Sequence, residues 1–118
     1  MKSWINQRRL SFKYAINGIR LMMKQTNFRI HIIVFSLVVV LATYLQISSN
    51  DWVLILIVSG LVFVAEGINT AIESLTDLVT MEKNKKAGNT KDIAAGAVLI
   101  AALISITTGL IIFSKYIL

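Results

Sequence analysis

The residues that could do chemistry lie in one stretch, which follows an apolar run without charge from 52 to 65. Four polar side chains recur there at steps of three, four and four residues: Glu66, Asn69, Glu73 and Asp77. At about 100° per residue, these steps place all four within an arc of roughly 80° on a helix. Carboxylates at membrane depth are costly and usually face a bundle interior or an aqueous pocket. This acidic stripe is therefore a candidate functional site.

An ordinary amphipathic helix with its polar side in water is the alternative interpretation of the acidic stripe. It accounts for Asp77, but it accounts poorly for Glu66, because residues 62–65 and Ile68 on either side are apolar. The functional interpretation is therefore favoured.

A second polar pair, Lys91 and Asp92, stands at the predicted start of the last apolar segment. A helix start presents unpaired N–H groups and a positive dipole end, which suit a phosphate group. The pair could equally be a snorkelling lysine and a first-turn acid.

Together the polar residues would permit phosphoryl transfer. Carboxylates suit Mg²⁺, which prefers oxygen ligands and completes its shell with substrate phosphates. A carboxylate can act as a general base, a lysine can hold phosphate oxygens, and such catalysis rests mostly on positioning and charge neutralisation. Neither a Walker loop nor the Gly-rich loop of soluble kinases is present. A transporter or ion pathway remains the alternative from intramembrane acids alone.

The chain that must position these residues is 118 residues long, 56% hydrophobic and 15% charged. It contains no proline, which favours uninterrupted helices, and no cysteine, which excludes a disulfide framework and a cysteine nucleophile. With a single histidine as well, the usual zinc sites are excluded. The composition predicts one all-α integral membrane domain over residues 1–118.

The hydropathy pattern predicts one surface helix and three membrane helices, over 4–24, 28–47, 51–81 and 90–116. The first is basic and amphipathic, as expected of a helix in the headgroup plane of an anionic leaflet. The uncharged run of the second membrane segment is too short to span alone, so the turns holding Glu66 and Asn69 complete the crossing. Residues 88–90 are predicted to form a turn and cap the last helix. His31 is interpreted as an interfacial residue.

Lysine and arginine cluster before the first membrane span and again between the second and third. By the positive-inside rule, the N-terminus, the 82–91 loop and the acidic stripe are predicted to be cytoplasmic. The 46–51 turn and the C-terminus are predicted to lie outside, across a plasma membrane. Nucleic-acid binding is rejected, because the cations flank membrane segments and no aromatic-basic platform is present.

The motif Glu66-x-x-Asn69-Thr-Ala-Ile-Glu73-x-x-x-Asp77, followed by Lys91-Asp92-x-Ala-Ala-Gly-Ala-Val, resembles the prokaryotic diacylglycerol kinase family. These are small integral membrane enzymes, and the resemblance covers nearly the whole chain. The segment Asn27-Phe28-Arg29-Ile-His31 resembles the Gram-positive branch, whose members typically phosphorylate undecaprenol rather than diacylglycerol.

The resemblance implies an ATP- and Mg²⁺-dependent lipid kinase that forms a homotrimer with active sites shared between subunits. Undecaprenol is the implied substrate, with a diacylglycerol kinase or a non-enzymatic relative as alternatives. The resemblance implies that Glu66 is the base on the lipid hydroxyl, with Asn69 beside it. It implies that Glu73 holds magnesium. Asp77, Lys91 and Asp92 would lie on the nucleotide side. The family usually carries a metal-binding glutamate where Gln25 stands nearest, and glutamine is a weaker, neutral ligand.

Overall fold

The computed structural model describes residues 2–118, and these form four helices and no strand. The helices, in chain order, are α1 (Lys2–Met23), α2 (Thr26–Leu45), α3 (Ser49–Val79) and α4 (Lys85–Ile117). The last three are each long and apolar enough to cross a membrane. The predicted all-α class, with three helices able to span a membrane, is thereby confirmed.

A tight turn joins α2 to α3 on the side opposite the acidic stripe. Gln46 ends α2 in the left-handed region with φ 53°, and its N–H bonds back to the carbonyls of the last helical turn. Ser48 then caps α3, because its Oγ accepts a hydrogen bond of 3.2 Å from the N–H of Asp51. A side-chain cap of this kind stabilises a helix start by about 1 kcal/mol.

The start of α4 differs from the prediction. Residues 88–90, expected to form a turn, are helical, and the cap is Asn84, whose Oδ1 accepts from the N–H groups of Lys86 (2.8 Å) and Ala87 (3.3 Å). A glycine inside a helix costs about 1 kcal/mol, which a cap of this quality offsets. Lys91 therefore lies beyond the first turn of α4, and the expectation that it stands at a helix start with unpaired N–H groups is wrong.

α3 packs along α4, whereas α2 packs on α3 over a shorter length. A small core forms at the end of the bundle that holds the α2–α3 turn, from the buried side chains of Ala42, Ile47, Ile55 and Ile112. Most other apolar side chains of the three long helices are exposed. A helix that is apolar all round is typical of a membrane span, where lipid covers those side chains.

A polar clamp closes the same end of the bundle. Asp51 is buried, and its carboxylate accepts from Lys115 Nζ at 2.9 and 3.0 Å and from the Tyr116 hydroxyl at 2.6 Å. The Tyr116 oxygen accepts in turn from the N–H of Ser48 at 2.9 Å. The clamp therefore ties the C-terminal turn of α4 to the first turn of α3.

Candidate active site

The acidic stripe runs along the half of α3 that lies away from the clamp, and it passes from buried to exposed. Glu66 is 3% exposed and Asn69 is 6% exposed, while Glu73 is half-buried and Asp77 is exposed. The spacing follows from an uninterrupted helix over Ser49–Val79. One helix face thus leads from a buried carboxylate to a surface carboxylate.

Asn69 is hydrogen-bonded to one carboxylate of the stripe. Its Nδ2 donates a hydrogen bond of 3.1 Å to Glu73 Oε1, which turns its Oδ1 away from that carboxylate. Within the described residues, Asn69 Oδ1 is buried and has no hydrogen-bond partner. A buried polar atom without a partner costs about 1–3 kcal/mol, so this oxygen is poised to accept from a hydroxyl or to ligate a cation.

Lys91 and Asp77 form an ion pair between α4 and α3, with Lys91 Nζ 2.6 Å from Asp77 Oδ1. The pair borders a cleft of about 460 Å³ beneath the α3–α4 connection. The cleft is lined largely by polar and charged side chains, among them Thr80, Glu82, Lys83, Asn84 and Lys85. A polar cleft of this kind suits a charged, water-soluble ligand. Asp92 is exposed next to Lys91 and makes no ion pair among residues 2–118.

Gln25 lies at the N-cap of α2, where it is exposed and its side chain makes no capping hydrogen bond. The part of the chain that the structure describes contains no group of three or more His, Asp or Glu side chains able to hold a metal. The oxygens of Glu73 and Asn69 suit Mg²⁺ all the same, because this ion is commonly bound through one or two carboxylates together with substrate phosphates and waters. The donor set fits magnesium in that mode.

His31 is the site residue that the sequence interpretation missed. Its Nε2 lies 3.6 Å from Oε2 of the buried Glu66, which places it in the site rather than at a free interface. A signal was present: His31 belongs to a series of apolar or aromatic positions at steps of three and four, Phe28, His31, Phe35, Val38 and Ala42. A histidine on the packing face of a helix points at a neighbouring helix.

Two apolar cavities flank the buried part of the stripe. One of about 240 Å³ lies between α2, α3 and α4, with His31, Phe35 and Phe63 in its walls. The other, about 420 Å³, is a groove between α3 and α4 that reaches Asn69. Phe63 is fixed by ring contacts with Phe28 and Phe35, at centroid distances of 5.5 Å each. Apolar space therefore adjoins His31 and Asn69 of the candidate site, and a lipid chain would fit such space.

The C-terminal end of α1 approaches the stripe next to Glu66. The Sδ and Cε atoms of Met22 lie against Gly67, so close that a Cβ added there would be 2.6 Å from Cε. Glycine at this position lets the end of α1 reach α3 directly beside Glu66. The remainder of α1 has no buried residue.

Comparison with known proteins adds an independent observation. The family model described as prokaryotic diacylglycerol kinase matches residues 13–113, which include every polar residue of the site. The chain belongs to the prokaryotic diacylglycerol kinase family. It is accordingly a membrane protein and a lipid kinase, and a kinase takes its phosphate from a nucleotide donor. The resemblance seen in the two motifs is confirmed.

Three relatives in this family show how far the likeness extends. An undecaprenol kinase of Bacillus subtilis is 36% identical over 104 residues, covering 87% of this chain and 85% of that protein. A diacylglycerol kinase of Synechocystis is 37% identical over 85% of this chain, which corresponds to 58% of that longer protein. A diacylglycerol kinase of Escherichia coli is 31% identical over 80% of this chain and 79% of its own length.

Proposed function

We propose that this lipid kinase transfers phosphate from ATP to undecaprenol, giving undecaprenyl phosphate and ADP. The observation that carries the proposal is the continuous face of α3, which joins the buried Glu66 beside apolar cavities to the Asp77–Lys91 pair beside a polar cleft. A water-insoluble acceptor and a water-soluble donor can meet along that face. The undecaprenol kinase of Bacillus subtilis, similar over most of both chains, supports this choice of acceptor.

In the proposed reaction Glu66 acts as general base on the lipid hydroxyl. Its carboxylate takes the hydroxyl proton while the hydroxyl oxygen bonds to the γ-phosphorus. The bond between that phosphorus and the β,γ-bridging oxygen breaks, and its electron pair leaves with ADP. Asn69 Oδ1, which lacks a partner among the described residues, would ligate the cation. No covalent enzyme intermediate is required.

The remaining site residues handle charge on the donor. Lys91 contacts phosphate oxygens, Asp77 holds the lysine in place at 2.6 Å, and Asp92 adds a polar contact on the nucleotide side. Glu73, with Gln25 as a weak neutral ligand, would hold magnesium, which when bound neutralises phosphate charge. Since phosphoryl transfer depends mainly on positioning and charge neutralisation, these residues contribute most of the catalysis besides the base.

The proposed setting is the cytoplasmic face of a plasma membrane. The basic residues of α1, which include Arg8, Arg9, Lys13 and Arg20, would then lie against anionic headgroups as a surface helix. The C-terminus and the clamp would lie outside.

A homotrimer with shared active sites completes the proposal. Most of the apolar surface of the three long helices is uncovered in one chain, and Gln25 is exposed rather than paired with the stripe. A neighbouring subunit would cover part of that surface and bring its α1–α2 connection to the metal.

A diacylglycerol acceptor is the second candidate, because two of the compared relatives are diacylglycerol kinases. Either alcohol offers a hydroxyl at the membrane surface and an apolar tail. The test is incubation of the purified protein in lipid with γ-labelled ATP and each alcohol in turn. We expect label in undecaprenyl phosphate at the higher rate, and a higher rate for diacylglycerol would overturn the choice of acceptor.

The base is tested with Glu66→Gln, which keeps the size of the side chain and removes the carboxylate. We expect transfer to fall at least a hundredfold, the lower end of typical general-base contributions, with the helical content unchanged. Thr43→Val is the matched control, since it removes a polar group on α2 that bonds only within its own helix. Wild-type turnover in Glu66→Gln would contradict the assignment.

A further inference from the structure

The carboxylate of Glu66 has an unusual environment for a residue that must stay reactive. It is 3% exposed, and its sequence neighbours on α3, residues 62–65 and Ile68, are apolar. Burying a carboxylate without a partner is strongly unfavourable. Among residues 2–118, the single side chain able to carry positive charge within 4.0 Å of it is His31, whose Nε2 lies 3.6 Å from Oε2.

His31 also faces the apolar cavity of about 240 Å³ between α2, α3 and α4. The other polar side chains in the walls of that cavity are Ser59 and Ser105, which carry no charge. The imidazole is therefore in contact with the base on one side and with apolar space on the other. Its side chain is 25% exposed, so it is neither a free surface group nor a fully enclosed one.

We propose that His31 is a positioning residue for Glu66 and that it fixes which oxygen of the carboxylate meets the lipid hydroxyl. An imidazole with its proton on Nε2 directs that N–H at Oε2 and leaves Oε1 free to take the substrate proton. The separation of 3.6 Å exceeds an ordinary hydrogen bond, and a small rotation of either side chain closes it when the acceptor binds. This inference rests on the proposed role of Glu66 as base.

The first test is kinetic. His31→Leu removes the N–H, and a base displaced by about 1 Å loses on the order of a hundredfold in rate. We expect kcat to fall tenfold to a hundredfold, as estimated from that figure, while KM for ATP stays within twofold, because the nucleotide cleft lies at the other end of the stripe. His31→Gln, whose amide nitrogen reaches the position of Nε2, should recover a large part of kcat. Thr43→Val on the same helix should behave as wild type.

The second test does not depend on turnover. The chain contains one histidine, so selective ¹⁵N-histidine labelling reports His31 alone. At fixed pH, Glu66→Gln should move both imidazole nitrogen resonances, whereas Asp77→Asn, three turns further along the same helix, should leave them in place.

The outcomes separate the inference from the function on which it rests. A wild-type protein that labels no lipid alcohol overturns both the lipid-kinase proposal and the role of His31 in it. Normal transfer by the wild type with kcat of His31→Leu within twofold of it overturns the positioning role alone. A loss of kcat that Gln does not relieve, with imidazole resonances insensitive to Glu66→Gln, shows a merely structural residue and also overturns it.

Discussion

Replacing Lys91 with methionine separates the stabilising role of the Asp77–Lys91 ion pair from the catalytic role proposed for Lys91. Methionine keeps the length and most of the volume of lysine but removes the charge. The pair is close, with Nζ and Oδ1 2.6 Å apart, and a purely structural interpretation would assign it to holding α3 against α4. The two interpretations predict different magnitudes for the same substitution.

The structure sets both magnitudes. The Lys91 and Asp77 side chains are 40% and 46% exposed, so water screens their attraction and the pair contributes about 0–1 kcal/mol to stability. Removing one preorganised charged or polar group from developing phosphate charge typically costs about 10²–10³ in kcat. We therefore expect Lys91→Met to remain folded, with little change in its unfolding midpoint, and to lose two to three orders of magnitude of transfer by that same estimate.

The assay is transfer of labelled phosphate to undecaprenol, run beside thermal unfolding of the same preparations. The matched control is the charge swap Asp77→Lys with Lys91→Asp, which restores an ion pair across the same two helices but moves the cation to α3. The swapped protein should unfold like the wild type and remain inactive. Recovery of transfer in the swap, or loss of the fold in Lys91→Met, would refute the reasoning.

Two further predictions concern the metal and the clamp. Gln25→Glu should lower the Mg²⁺ concentration for half-maximal activity several-fold, because a carboxylate is a stronger ligand than an amide. The control Thr26→Glu adds the same charge one residue away and should leave that concentration unchanged. Equal Mg²⁺ titration curves for the two variants would exclude residue 25 from the metal site. Tyr116→Phe removes the hydroxyl that bonds both Asp51 and the N–H of Ser48, so the thermal midpoint should fall. Its kcat below that midpoint should match wild type, since Asp51 and Glu66 are about 22 Å apart along α3; a selective loss of kcat would contradict this separation.

Hydropathy and residue spacing along the sequence were sufficient to predict much of the helical architecture. The apolar runs predicted three membrane helices, and α3 was expected over 51–81 against the observed Ser49–Val79. The stripe at steps of three and four lies on one face because α3 has no proline to interrupt it. These features depend on composition and periodicity, which a single sequence carries in full.

Some features depend on competing local preferences for turn and helix, or on the placement of one helix against another. These could not be predicted in the same way. Residues 88–90 have the composition of a turn, yet the helix capped at Asn84 runs through them. The sequence pattern places His31 on the packing face of α2, but its contact with Glu66 also requires the position of α2 along α3, which no local pattern specifies. The spacing of the residues therefore predicts the stripe, whereas the contact of His31 with the buried Glu66 is seen only in the three-dimensional structure.

The placement of Glu66, Asn69, Glu73 and Asp77 on a single helix has a consequence for how such an enzyme changes over time. The regular geometry of one helix sets the distances between these four residues. Their spacing therefore does not depend on the length of any loop. In the cavity between α2, α3 and α4, by contrast, most of the wall is supplied by α2 and α4. We expect substitutions there to change the preferred lipid alcohol while the groups proposed to react, on α3, keep their spacing. Divergence in substrate is in this way uncoupled from divergence in mechanism.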